Sequence, residues 1–125
     1  MNNVVSMNKP FHTWKVTDDE EYKLILQGQQ IAELEQKLGN RSLMSWLGDG
    51  ASITAPFRVM IMIIHGAMSR YHHGIKLQDV YSIYDRYVEN GGTMVSLYAD
   101  VYIPLFQVSG FFPRADAVTE TETEK

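Results

Sequence analysis

The sequence contains no cysteine among its 125 residues. This absence excludes disulfide bonds, a thiolate nucleophile and any zinc site built on cysteine. Chains without cysteine fit a reducing compartment, so we expect the protein to act in the cytoplasm.

Long hydrophobic runs are missing as well. The most apolar window covers residues 57–64, which is far shorter than the roughly 20 residues needed to cross a bilayer. Residues 1–10 contain no positive region followed by an apolar run, so no secretory signal is predicted. We expect a soluble protein without a membrane partner.

A surplus of basic residues is also lacking, since the formal net charge is -4 and the isoelectric point is about 5.5. Such a chain has no excess cations with which to neutralise phosphates. Lys76 and Arg86 stand alone, whereas a DNA-recognition helix needs clustered basic residues. We therefore expect no nucleic-acid partner.

The residues that are present suffice for one compact core, because 45% of the chain is hydrophobic. We expect a flexible N-terminus over residues 1–10 and a single domain over residues 11–113. Residues 114–125 alternate Thr with Glu and contain few apolar residues, which predicts a disordered acidic tail.

Near the N-terminus, two segments place apolar or aromatic residues at every second position. They are His12, Trp14 and Val16 in the first segment and Tyr22, Leu24 and Leu26 in the second. The alternation predicts a two-stranded hairpin. A helix capped by Thr17, with Glu20 completing a capping box, is the competing interpretation for residues 18–28.

Helical periodicity begins with residues 29–38, which form a short amphipathic helix ending before Gly39, where a left-handed cap fits. Residues 40–47 add one or two helical turns. A longer helix is predicted from a cap at Thr54 to Tyr71. That helix is apolar on nearly every side and is therefore either central or used at an interface.

The C-terminal half predicts a helical hairpin, with Asn90, Gly91 and Gly92 forming the turn and Thr93 capping the second helix. Pro104 interrupts that helix, so we expect a kink or a restart near Ile103. The first helix carries an apolar stripe formed by Leu77, Val80, Tyr81, Tyr84, Tyr87 and Val88. The second continues the stripe with Met94, Leu97, Tyr98, Val101, Leu105 and Val108.

These elements predict a mainly α fold of the α+β type. It comprises a small N-terminal β-hairpin, about four to five helices, a C-terminal helical hairpin and the disordered tail. After the hairpin, Gly110 suits a left-handed cap that turns Phe111 back onto Leu105 or Phe106.

Catalytic equipment is sparse. His65, His72 and His73 are the metal-binding candidates, with Asp79 or Asp85 as further ligands. They are poorly spaced for one ion, so a solvated helix end is the favoured explanation.

Two further patterns have both a chemical and a structural interpretation. Asp85 and Glu89 form an i, i+4 carboxylate pair that suits either acid-base chemistry or an exposed face. Gly91, Gly92 and Thr93 form either an anion cradle or a plain interhelical turn. We predict no enzymatic activity and no cofactor.

An excess of apolar residues in so small a chain favours partner binding over catalysis, although a packed core is the alternative explanation. The candidate partner-binding residues are Met60, Met62, Ile63, Met68, Phe111 and Phe112.

Three segments, residues 34–39, 77–92 and 108–112, resemble in order and spacing the tail assembly chaperones of long-tailed (siphovirus-type) phages and prophages of Gram-positive bacteria. The resemblance spans roughly residues 11–113. It implies a non-enzymatic protein that binds the tape measure protein, keeps it soluble and helps recruit tail tube subunits in the host cell cytoplasm.

The same resemblance implies that the protein leaves the finished virion, and that a longer form made by frameshifting near residues 114–125 is common. Self-association through the apolar surfaces predicts a homo-oligomer. The alternatives are a small prophage DNA-binding regulator and a metal-dependent enzyme.

Overall fold

A computed structural model describes residues 10–48 and 55–112 of the chain. It shows helices and one two-stranded antiparallel sheet, which confirms the predicted fold class. The predictions for residues 1–9, for the cap at Thr54 and for the tail at residues 114–125 lie outside the described residues. No helix in the described part of the chain is both long and apolar enough to cross a membrane.

The N-terminal segments form strands β1 (His12–Thr17) and β2 (Glu20–Leu24), which pair antiparallel. Trp14 and Val16 of β1 are buried, and Lys15 between them is exposed; Leu24 of β2 is buried as well. The strand interpretation is confirmed, because a half-buried strand buries every second side chain. In the turn, the Asp19 amide donates to Thr17 Oγ1 at 3.2 Å.

Helix α1 (Gly28–Lys37) ends as predicted before Gly39, whose φ of 85° gives the left-handed cap. The Asn40 amide closes this end by donating to the Glu35 carbonyl at 2.7 Å. A single turn of 3-10 helix follows at Leu43–Trp46, and the Glu35 carboxylate accepts from the Leu43 amide at 2.8 Å. One glutamate thus joins α1 to the next turn through both its backbone and its side chain.

Helix α2 (Phe57–Met68) is the centre of the molecule and packs against α1, α3 and β2. Its buried residues are Val59, Met60, Ile61, Ile63, Ile64, Ala67 and Met68. The prediction that this helix reaches Tyr71 was wrong, because after Met68 the amides of Ser69 and Tyr71 donate to carbonyls three residues earlier, at 3.3 and 3.2 Å, and the α-helix gives way to turns. Gly66 permits a close approach of α1, since a Cβ there would lie 2.9 Å from Leu34 Cδ1.

Helix α3 (Leu77–Glu89) ends in the predicted glycine turn. The amide of Gly92 donates to the Tyr87 carbonyl at 2.9 Å, and Gly91 has a φ of 103°. Gly92 is required by space rather than by its own φ, because a Cβ there would lie 2.4 Å from the Tyr87 ring. Thr93 then caps the next helix, and its Oγ1 accepts from the Ser96 amide at 3.0 Å.

The second arm comprises α4 (Met94–Leu97), a π-helical stretch (Tyr98–Tyr102) and α5 (Ile103–Val108). The restart at Ile103 is therefore confirmed. Its core residues occur in adjacent pairs every four positions, namely Leu97 and Tyr98, Val101 and Tyr102, and Leu105 and Phe106. An α-helix would rotate such pairs by about 40° per repeat, and the wider π turn offsets this rotation. The predicted stripe missed Tyr102 and Phe106 because it kept α-helical spacing through residues 98–102, where the helix is of the π type.

Strand β1 lies in the core and packs against both arms of the C-terminal hairpin. The Trp14 ring meets the Tyr87 ring edge-on at 5.6 Å. The predicted stripe on α3 was partly wrong, since Ile83 is buried and Val88 is 43% exposed. Past α5, the Phe111 ring lies 4.6 Å from that of Phe106, as the fold-back prediction required.

Candidate partner-binding site

The structure separates the predicted partner-binding residues into two groups. Met60, Ile63 and Met68 are at most 1% exposed and belong to the core of α2. This corrects the prediction for these three side chains, because a partner cannot contact them while the core is closed. Met62 and the pair Phe111 and Phe112 are only partly buried and remain candidates.

Met62 lines an open groove of about 210 Å³ between α1, α2 and the start of α3. Leu34 and Leu77 supply apolar surface beside Met62, and Gln30, Glu33 and Lys37 supply polar groups from α1. The groove therefore combines an apolar floor with a polar rim. Sequence reasoning identified only Met62, because the other lining residues come from three separate elements.

The walls of this groove are fixed by close packing and by one hydrogen bond. Gly66 lets Leu34 of α1 come against the backbone of α2. His65 Nε2 donates to the Ile75 carbonyl at 2.7 Å, which holds the connection to α3 and so places Leu77 at the end of the groove. The groove is consequently a preformed feature of the fold.

The remaining histidine candidates have structural roles or are exposed. His72 Nε2 accepts a hydrogen bond from the Lys23 amide at 2.8 Å, and its ring lies edge-on to Tyr22. Burial, assisted by the charge of Lys23, lowers the pKa of His72 and keeps the ring neutral. His73 is exposed. Among the described residues, no group of three or more His, Cys, Asp or Glu side chains could hold a metal ion.

The glycine turn is an interhelical connection and not an anion cradle. The amides of Gly91 and Gly92 donate to the Val88 and Tyr87 carbonyls, and the Thr93 amide donates to Ser96 Oγ at 2.9 Å. All three donors are already engaged, so no amide in this turn is free for an anion.

The carboxylate candidates lie on the surface. Asp85 and Glu89 are both exposed on α3. Asp79 instead stabilises the start of that helix by accepting from the Lys76 amide at 2.9 Å.

A charged cluster that sequence reasoning missed joins the β-hairpin to α3. Arg86 donates to both carboxylate oxygens of Glu20, at 2.8 and 2.6 Å, and the Tyr22 hydroxyl donates to the same carboxylate. The hydrogen bond from Arg86 lowers the pKa of Glu20, while burial and the neighbouring Glu20 raise that of Tyr22. Because Arg86 binds Glu20 through two hydrogen bonds, the cluster ties the β-hairpin to α3.

Exposed apolar residues were also missed at the tip of the C-terminal hairpin. Val88 is 43% exposed, Met94 36% and Val95 67%. They flank the glycine turn at residues 90–92. Val88 and Met94 belong to the predicted apolar stripes, and helical spacing alone does not distinguish a buried position from an exposed one.

A family model matches residues 7–125, which is nearly the entire chain. The chain belongs to this family. It is described as a family of unknown function, DUF6096. No curated protein matches the chain, and no solved structure matches it either.

Proposed function

We propose that this DUF6096 protein is a phage tail assembly chaperone that binds the tape measure protein, keeps it soluble and helps recruit tail tube subunits during tail morphogenesis. It acts in the host cell cytoplasm, forms a homo-oligomer and leaves the finished virion. The proposal rests on the resemblance carried by residues 34–39, 77–92 and 108–112, together with the geometry of the groove at Met62.

The groove is the observation that carries the proposal. Its volume of about 210 Å³ lies below the roughly 300–1,000 Å³ typical of pockets for cofactors and drug-sized ligands. An apolar floor with a polar rim suits one or two anchor side chains of an amphipathic helix. A long helical polypeptide such as a tape measure protein offers such anchors repeatedly.

The hydrogen bonds of the two candidate histidines support a non-enzymatic role. His65 and His72 hold the backbone at Ile75 and Lys23. These hydrogen bonds give both rings a role in stabilising the fold.

Co-expression with the tape measure protein of the same phage or prophage tests the proposal. We expect the wild-type protein to keep the tape measure protein in the soluble fraction. Met62→Glu should reduce that fraction several-fold, because a carboxylate would have to be buried against the apolar anchor of the partner.

Met44→Glu is the matched control, since Met44 is 48% exposed on the 3-10 turn and does not line the groove. It should leave tape-measure solubility unchanged. The proposal would be abandoned if the wild-type protein had no effect on tape-measure solubility. Equal effects of the two glutamate variants would remove the groove from the mechanism.

A further inference from the structure

The exposed side of α3 carries a second apolar surface that continues from the groove. It consists of the four residues Leu77, Tyr81, Tyr84 and Val88, here called the seam. The first three are partly buried, and Val88 is 43% exposed. Their spacing of four, three and four residues is the a and d spacing of a coiled coil.

The seam is distinct from the core face of the same helix. The core face consists of Val80, Ile83 and Tyr87, each one residue before a member of the seam. One residue corresponds to a rotation of about 100°. The seam is therefore a separate stripe beside the buried one, and the apolar character of α3 exceeds what its own core uses.

The seam joins the groove at one end and the hairpin tip at the other. Leu77 lines the groove that contains Met62. Phe57 of α2 supports the middle, with ring centroids 6.0 Å from Tyr81 and 4.7 Å from Tyr84. At the far end, Val88 is exposed in the last turn of α3, just before the glycine turn. A helix of a partner would thus find an anchor site and a continuous track.

Charge beside the seam indicates which helix fits. Each residue that follows a seam member is polar and exposed, and these four are Gln78, Ser82, Asp85 and Glu89. Two of them are carboxylates and none is basic. In the described part of the chain, the only ion pair joins Arg86 to Glu20, so neither carboxylate is neutralised there.

The acidic edge argues against a second copy of this chain as the occupant. Antiparallel pairing of two identical helices sets equivalent flanks against each other, so two copies would bring Asp85 and Glu89 together with their own equivalents. A partner helix with Lys or Arg beside its apolar stripe complements the same edge.

We propose that the seam binds an amphipathic helix of the partner polypeptide whose apolar stripe has a and d spacing and whose flank facing α3 is basic. This inference rests on the proposed function, because it specifies which segments of the tape measure protein the chaperone would hold. It also predicts that binding weakens as salt rises, since the edge is exposed.

Two synthetic amphipathic peptides of the same length and with the same apolar stripe, one flanked by Lys and one by Glu, test the charge preference. We expect the Lys-flanked peptide to bind the wild-type protein at least five-fold more tightly at low salt, and the preference to disappear in the double variant Asp85→Lys/Glu89→Lys. Equal binding of both peptides, or an unchanged preference in the double variant, would overturn the inference.

Val88→Glu and Ser82→Glu test the seam itself with the same added charge. Val88→Glu should weaken binding of the Lys-flanked peptide at least ten-fold, whereas Ser82→Glu should leave it unchanged or slightly tighter. Because both positions are exposed, circular dichroism and the Tm should match the wild-type protein. Equal binding by the two folded variants would overturn the seam as the docking surface.

Binding of the tape measure protein distinguishes the two proposals. If the wild-type protein holds the tape measure protein and Val88→Glu does so equally well, the seam inference fails and the proposed function stands. If the wild-type protein ignores the tape measure protein but prefers the Lys-flanked peptide, the seam stands and its partner is a different basic helix.

Discussion

Several side chains in this protein form hydrogen bonds with backbone groups that have no backbone partner. His72 is the main example, because its neutral ring accepts from the Lys23 amide on the outer edge of β2. Leu26 receives similar support from the hydroxyl of Ser109, which accepts its amide hydrogen at 2.9 Å. An unpaired strand edge is a site for unwanted association, and His72 occupies part of the edge of β2.

The role of His72 predicts a dependence of stability on pH. Its pKa is lowered in the folded state, so the unfolded chain takes up a proton first as the solution is acidified. The contribution of His72 is complete above the unfolded pKa of about 6.5 and declines as the pH falls from there towards the lower folded pKa. Urea unfolding at a series of pH values should show this decline.

His72→Gln is the informative variant, since an amide oxygen accepts the same hydrogen bond without titrating. It should flatten the part of the pH profile below about 6.5. His73→Gln, at the exposed neighbour, should leave the profile unchanged. A wild-type profile in the His72→Gln variant would refute the assignment.

At the scale of elements, the second arm shows how one proline is accommodated. Pro104 has no amide to donate to the carbonyl of Asp100, four residues earlier. His12 Nε2 donates to that carbonyl at 2.8 Å from β1. A strand residue therefore fills the place of a helical hydrogen bond, and the π turn beside it orients the Tyr102 hydroxyl towards the Trp46 carbonyl at 2.8 Å.

A double-mutant cycle tests this compensation. His12→Ala should lower the free energy of unfolding by about 0.5–1.5 kcal/mol. The same change should cost less when Pro104→Ala restores an amide at position 104. We expect a coupling energy on the order of 0.5 kcal/mol or more in urea unfolding. His73→Ala, measured in both backgrounds as the control, should show no coupling energy with Pro104→Ala. Additive effects of the His12 and Pro104 changes would exclude the compensation.

Sequence periodicity predicted the type of nearly every element and located its glycine caps at Gly39 and Gly91. It could not place the π turn. The interruption near Ile103 was predicted from Pro104, and a proline shows where a helix is disturbed but not that its number of residues per turn changes. Nor could periodicity place the end of α2 at Met68, since the apolar pattern continues to Tyr71 while the amides of Ser69 and Tyr71 donate to carbonyls three residues earlier instead of four. Local patterns record which residues are apolar and leave open where a tertiary contact interrupts a helix.

At the scale of the molecule, β1 holds the two arms of the C-terminal hairpin in one structure. Trp14 is fully buried and lies between the ring of Tyr87 at 5.6 Å and that of Tyr22 at 6.4 Å. Arg86 and Glu20 make a second connection at the surface. Such exposed pairs contribute only about 0–1 kcal/mol, so the aromatic contact dominates.

Trp14→Ala should lower the free energy of unfolding by about 3–5 kcal/mol. Trp14→Phe should cost less, because it keeps an aromatic ring and removes an indole N–H that has no acceptor among the described residues. Urea unfolding followed by circular dichroism and by fluorescence of the remaining Trp46 should give one common midpoint in each variant. Separate midpoints would show that the hairpin and the helices unfold independently.

The sequence by itself determined the fold class, the strand parity around Trp14 and the positions of the caps, because these depend on residues close together in the chain. Tertiary structure alone decided which flank of α3 enters the core. Two apolar stripes lie one residue apart on that helix, and both satisfy helical spacing. Packing of Tyr87 against Trp14 buries one stripe, so Tyr81, Tyr84 and Val88 are left at the surface. In α2, packing against the neighbouring elements likewise encloses Met60, Ile63 and Met68. It leaves Met62 in the groove.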